Sequence, residues 1–201
     1  MEKQIIITVG RQFGSGGKPV GDALSQKLGI PIYDKELVTE AARQSGYSPE
    51  FFMRSDEKKR SFFLANIFGG NNNMGHNMLD DADLFRIQSE TIRHLASQGS
   101  AIFVGRASDY VLRDLKPLNV FISAAMESRI KFVCERDGVT PEEAASIIDK
   151  RDRDRAQYYN FFTQRNWGVA SNYHLCINRS ALGTEKTADL IIEFARKTGR
   201  L

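Results

Sequence analysis

The chain contains no apolar run approaching the roughly 20 residues that a membrane-spanning helix requires, so no membrane partner is expected. Cysteine is scarce. Cys134 and Cys176 stand alone and match no metal-ligand spacing; both read as small buried or half-buried hydrophobes. The three histidines, His76, His94 and His174, form no cluster, which argues against zinc, and no direct metal ligand is expected elsewhere. The formal charge of +3 is mild. It suits an anionic small molecule but lacks the dense basic stripe of a nucleic-acid binder. The apolar stretch after Met1 is about five residues long and no small-residue cleavage site follows it, too little for a signal peptide. The expected compartment is the cytoplasm.

What is present is an alternation of strands and helices. Gln4 to Val9 is a β-branched run ending at Gly10, the pattern of a strand buried on both faces. A glycine-rich turn leads into a helix carrying Val20, Leu24 and Leu28 at four-residue spacing and closed by Gly29. Ile30 to Tyr33 is a short extended piece, and Asp34 is placed to cap a helix reaching Ser45. From Ser48 to about Ser97 the chain reads helical, interrupted by the polar tract Gly69 to Asn73, and a long helix is predicted over 80–98. Ser100 to Val104, Leu118 to Ile122 and Tyr173 to Asn178 are further strands. Ser123 is predicted to cap a helix over 125–136, and Thr140-Pro141-Glu142-Glu143 opens the next with a capping box. Thr184 to Lys197 closes the chain as a helix. Such alternation predicts a three-layer α/β fold on a parallel sheet, with ligands bound beyond the carboxyl ends of the strands. The loops there are 10–18, 105–109 and 123–129.

Gly14-Ser15-Gly16-Gly17-Lys18 follows the first strand and opens a helix. Backbone N–H groups converge on an anion in such a turn, and glycines let the backbone approach it closely. The common phosphate-loop pattern G-x-x-x-x-G-K-[ST] is not met. Aligning Gly14 and Gly16 with its last glycines puts Arg11 at the first glycine, Gly17 at the lysine and Pro19 beyond Lys18, and the hydroxyl that would hold magnesium is missing. One residue on a helix is about 100° of rotation, so Lys18 is not a simple substitute for a lysine at position 17.

Gly105-Arg106-Ala107-Ser108-Asp109 follows another buried strand, placing Arg106 on the same rim, where a guanidinium can grip phosphate with two donors. Downstream, Arg151-Asp152-Arg153-Asp154-Arg155 puts 151 and 155 on one helix face with 153 roughly opposite. Tyr158, Tyr159, Phe161, Phe162, Arg165, Trp167 and Arg179 follow, an arginine- and aromatic-rich stretch with the look of a mobile segment.

The order of these features (strand, Gly-Ser-Gly-Gly-basic, Leu-Gly-Ile-Pro-Ile-Tyr-Asp, helical insertion, Val-Gly-Arg, Asp/Arg lid) resembles the cytidylate kinase-like family. The stretch from Arg151 through Tyr158-Tyr159, Asn166-Trp167-Gly168, Tyr173 and Ile177-Asn178 resembles that family in particular. The likeness runs from residue 4 to about 195 and is weakest over 48–80.

The resemblance implies one P-loop NTPase-type domain with its core at about 1–47 and 99–201, a helical acceptor-binding insertion at about 48–98 and an Arg-rich lid at about 150–168. It implies transfer of a phosphoryl group from ATP, its Mg2+ carried by the nucleotide, to a nucleoside monophosphate, CMP or dCMP first. Arg11, Gly14, Ser15, Gly16, Gly17 and Lys18 would face the ATP phosphates. Asp34, Arg106, Asp109, Arg153 and Asp154 would face the acceptor, while Lys18, Arg106, Arg151 and Arg155 would supply catalytic charge. Ala107 stands where the family's Gly-Arg-Asp motif has its acid, unless Asp109 replaces it. Small-molecule nucleotides are the expected partners. Two alternatives stay open: a nucleotide-binding sensor without turnover, and a kinase for another small metabolite.

Overall fold

The computed structural model describes residues 4–35, 37–39 and 78–201. The predicted helix start at Ser48 and the tract 69–73 lie outside them.

Five strands, β1 (Ile6–Arg11), β2 (Ile32–Tyr33), β3 (Ala101–Val104), β4 (Leu118–Ser123) and β5 (Leu175–Asn178), form one sheet. Their order is β2-β3-β1-β4-β5, and every pair is parallel. The continuous apolar runs of β1, β3 and β4 have this cause: a central parallel strand is covered on both faces. Ile7 pairs with Ile102 on one side and Leu118 on the other, and all three side chains are buried in the same core layer. The opposite face takes the alternate residues, among them Ile6, Ala101 and Phe103. One polar pair interrupts it, where the Thr8 hydroxyl donates to Asn119 Oδ1 at 2.7 Å in register between β1 and β4.

Helices α1 (Gly17–Leu28) and α6 (Arg179–Lys197) cover the first face through Val20, Leu24, Ala188, Ile191 and Ala195. Helix α2 (Met78–Ser97) and the short α3 (Ser108–Val111) cover the second through Ile92, Ala96 and Val111. Helices α4 (Met126–Asp137) and α5 (Pro141–Thr163) pack together over Val133, Ala144 and Ile148. The α/β three-layer architecture with a parallel central sheet is as predicted. Among the described residues no helix is long and apolar enough to cross a membrane.

Several local expectations are met for the stated reasons. Gly29 ends α1 in the left-handed conformation at φ 66°, and Thr140 with Glu143 forms a full capping box. Others differ. Ser123 is the last residue of β4, and its hydroxyl goes to the Ile177 carbonyl instead of capping α4. The aromatic stretch from Tyr158 to Thr163 is helical and continues the Arg/Asp-rich stretch as the end of α5, a single helix of 23 residues. Its aromatic side chains explain this: Phe162 stacks on Phe85 of α2 at 4.2 Å and meets Tyr158 edge-on at 4.9 Å. Cys134 is half-buried as expected, but Cys176 is exposed on the edge strand β5.

Candidate active site

The carboxyl ends of β1 and β3 open onto a cleft of about 850 Å³, which the loop 123–129 after β4 does not line. Its walls come from the ends of β1 and β3, from α4 and α5, and from Trp167 and Tyr173. Cations dominate. Arg11, Lys35, Arg106, Arg136, Lys150, Arg151 and Arg155 line it against Asp109, Asp137 and Asp154. An excess of positive charge in a low-dielectric concavity concentrates anions there.

Of residues 10–18 only Gly10, Arg11 and Phe13 line the cleft, and the glycine loop Gly14 to Lys18 follows directly behind them. Ser15 is fully buried, and its hydroxyl donates to the carbonyls of Gln12 and Ile122 at 2.9 and 3.0 Å, stitching the loop to β4. Gly14 and Gly16 have φ of 72° and 79°, values that favour glycine. Among the described residues the backbone N–H groups of Gly14, Gly16 and Gly17 donate to no acceptor. An open row of amides at a helix start fits an anion. Gly17 is more than a missing lysine: a Cβ there would lie 2.5 Å from Arg11 Cβ, so the arginine side chain crosses the space. Beyond it the Arg11 guanidinium reaches the backbone of Gly105.

Lys18 turns elsewhere. Its ammonium bonds Asp22 at 2.5 Å, lies 3.6 Å from Asp34, and lines no part of the cleft. Partial burial pulls its pKa down, but the hydrogen bond and charge of Asp22, followed by Asp34, raise it above the usual lysine value. Asp34 also accepts the Leu37 N–H at 3.1 Å, the cap expected of it.

The loop is gripped by α5. Asp152 accepts the Phe13 N–H at 2.7 Å through Oδ1 and pairs through Oδ2 with Arg129, whose Nε donates to the Phe13 carbonyl at 2.8 Å. Arg129 is buried. Arg155 donates to the Arg11 carbonyl at 3.0 Å and lies over the Phe13 ring, 5.3 Å from its centroid. Burial lowers the Arg155 pKa to about 10, opposed by Asp152 and aided by neighbouring arginines. Arg151, Asp154 and Arg155 line the cleft, whereas Arg153 points to solvent and pairs with Asp149.

The loop after β3 is backbone-strained. Gly105, Arg106 and Ala107 are all left-handed, at φ 80°, 56° and 51°. Each non-glycine residue there costs roughly 1–2 kcal/mol, a strain offset by the fully buried strand beneath. The turn lays Arg106 over the Tyr158 ring at 4.8 Å and within 3.4 Å of Gln88 Oε1. Two residues on, Asp109 is buried and accepts a 2.7 Å bond from the Tyr159 hydroxyl. Burial raises the Asp109 pKa, with the Tyr159 hydrogen bond opposing. Burial, then the Asp109 charge, raises both Tyr159 and Tyr173.

Gln88, Arg129, Asp152, Tyr158, Tyr159 and Arg179 were not singled out as site residues from sequence. Each acts through a partner between 18 and 164 positions away, so no local spacing announces it. Among the described residues no three potential ligands gather to hold a metal. The one hydroxyl in the glycine loop, Ser15, is spent on carbonyls.

The family model described as the cytidylate kinase-like family matches residues 6–181. A cytidylate kinase of Methanopyrus kandleri is 23% identical over 197 residues, covering 93% of this chain and 91% of that one. The cytidylate kinase of Sulfolobus acidocaldarius is 27% identical over 184 residues, covering 89% and 87%. Among solved structures, an uncharacterized protein from Eubacterium ventriosum superposes with a TM-score of 0.74 at 29% identity, over 95% of this chain and 98% of that one. A shikimate kinase from Acinetobacter baumannii, at 16% identity and a TM-score of 0.52 over 98% and 95%, shares the fold. Glycine loop, parallel order and arginine-lined cleft thus sit in a chain whose matched length is nearly complete, and the protein belongs to the cytidylate kinase-like family, on a P-loop kinase-type α/β fold.

Proposed function

We propose that this chain catalyses ATP-dependent phosphoryl transfer to a nucleoside monophosphate, with CMP or dCMP as the acceptor. The observation that carries the reading is one cleft at which Arg11, directly before the glycine loop, meets Arg106, Arg151 and Arg155. Phosphoryl transfer asks little covalent chemistry of a protein; it asks for alignment and for positive charge around the moving group. The loop amides with Arg11 hold the ATP phosphates, and magnesium arrives on the nucleotide. Arg106, propped by Tyr158 and Gln88, takes the acceptor phosphate as a two-pronged ligand. Arg151 and Arg155 add charge from α5. Asp109 stands in for the acid absent at Ala107 and, with Asp154, meets the acceptor nucleoside. The cytidylate kinases among the relatives support the choice of CMP.

The test is ADP formation from ATP and Mg2+ in the presence of CMP, dCMP, UMP or AMP. Turnover should depend on the added monophosphate and be fastest with CMP or dCMP; well-folded protein that turns over none of the four overturns the reading. A second reading, a nucleotide-binding regulator without turnover, is favoured by one observation: the cation nearest the loop in sequence, Lys18, is held by Asp22 and Asp34. Calorimetric binding of ATP without any turnover would select it.

A further inference from the structure

The glycine loop has no lysine of its own at position 17, yet a second arginine lies directly on it. Arg179 is the first residue of α6. Its Nε donates to the Ser15 carbonyl at 2.5 Å. The rest of its guanidinium covers Gly16, where an added Cβ would lie 2.8 Å from Arg179 Cδ and 2.9 Å from Cζ. Gly16 and Gly17 therefore each make room for an arginine, Arg179 on one flank and Arg11 on the other.

The seat of Arg179 is built. Asn178 caps α6 by accepting the Ser180 N–H at 3.0 Å, and the Ser180 hydroxyl accepts the Ala125 N–H at 2.9 Å. The Ser123 hydroxyl donates to the Ile177 carbonyl at 3.3 Å. These bonds fasten the β5–α6 junction to the β4–α4 junction, next to the loop. One turn later Gly183, at φ 75° and ψ 176°, breaks the helix, so residues 179–182 form a separate cap.

Arg179 shares with Arg106, Arg151 and Arg155 the lack of a paired carboxylate among the described residues. Lys18, Arg129, Arg136 and Arg153 are each paired with a carboxylate. Among the described residues no Asp or Glu pairs with Arg179, and neither Nη atom has a hydrogen-bond partner. A guanidinium with no paired carboxylate and two open NH2 groups, half-buried beside the open amides of Gly16 and Gly17, has the chemistry of a phosphate ligand. We propose that Arg179 binds the phosphates of ATP at the glycine loop, supplying from the β5–α6 junction the charge that Gly17 lacks. The proposal rests on the loop being the donor-phosphate site.

Calorimetry with ATP and with AMP tests it on wild type, Arg179→Gln and Arg179→Lys, with thermal melts of each. The expected result is a loss of ATP affinity of about ten- to a hundred-fold in Arg179→Gln, a smaller loss for AMP, partial recovery in Arg179→Lys, and unchanged melting. Wild type that binds ATP no better than Arg179→Gln overturns the proposal and leaves the donor-loop reading standing. Equal losses for ATP and AMP with a lowered melting temperature, unrescued by lysine, reduce Arg179 to a structural clamp on Ser15 and also overturn it. Wild type that binds no ATP removes the donor-loop reading and this proposal with it. ATP binding that weakens in Arg179→Gln supports the proposal even where wild type shows no turnover, because binding is the readout.

Discussion

On the Arg106 side of the cleft the cation is set in a prepared frame: left-handed backbone aims it, the Tyr158 ring supports it and buried Gln88 faces it. On the glycine-loop side the backbone is equally fixed, but the loop carries no cation on its own helix turn that faces the cleft. Its charge comes from elsewhere in the chain, from Arg11 across Gly17 and from Arg155 and Arg179 on α5 and α6. One side keeps its charge local and pre-aimed. The other distributes it over three elements that must stay docked for the site to exist. The α5–loop contacts should therefore govern stability and site integrity together, whereas Arg106 should govern binding alone.

The largest expected effect tests the docking. Asp152→Ala leaves buried Arg129 without its carboxylate and the Phe13 N–H without its acceptor. Breaking one side of a buried pair costs about 3–5 kcal/mol, read as a lowered midpoint in denaturant titration. Replacing both Arg129 and Asp152 with apolar residues should recover part of that loss while ATP binding stays weak. Full stability in Asp152→Ala would mean the pair does not hold the loop to α5.

Next is Arg106→Ala. Loss of a charge-assisted, two-pronged contact is worth about 2–3 kcal/mol, so the apparent KM for the acceptor should rise roughly thirty- to a hundred-and-sixty-fold. The KM for ATP should move several-fold at most and thermal stability should hold. Equal shifts in both constants would erase the contrast between the two sides and make Arg106 structural.

How far the sequence could anticipate this contrast depends on the range of the interactions. The strands β1, β3 and β4 were legible because burial on both faces leaves short apolar runs, interrupted only by the paired Thr8 and Asn119 before their ends. The capping box at Thr140 and the glycine end of α1 were legible because they are built within four residues. The continuity of α5 was not. Its aromatic half folds against Phe85 of α2, more than 70 positions earlier, and nothing local marks those rings as packed. In the same way Gly17 reads locally as a lysine lost, while in space it is the gap that Arg11 fills.

That gap yields a prediction opposite in sign to one drawn from the motif. Gly17→Lys restores the common phosphate-loop residue, yet its Cβ would lie 2.5 Å from Arg11 Cβ. Overpacking of this kind costs about 1–3 kcal/mol, and the displaced Arg11 no longer reaches Gly105. Melting should fall by several degrees and ATP affinity should not improve. A variant that is both stable and tighter for ATP would show that Arg11 moves aside freely and that the loop tolerates either cation.

The smallest expected effect lies on α5 itself. Arg151 and Arg155 line the cleft, while Arg153, half a turn away, is exposed and pairs with Asp149 one turn earlier. A solvent-exposed i,i+4 pair is worth roughly 0.3–0.5 kcal/mol, so Arg153→Ala should barely change stability and leave both KM values within about two-fold. Arg151→Ala, by contrast, should weaken nucleotide binding. The pair of variants reads the rotational setting of α5 in the working protein. If Arg153→Ala impairs the acceptor as much as Arg151→Ala, the helix must turn or partly unwind when substrates bind, because about 200° separates residues two apart on a rigid α-helix. The charges on this side of the cleft would then be recruited by closure, and the contrast with the pre-aimed Arg106 would extend from where the charge is stored to when it arrives.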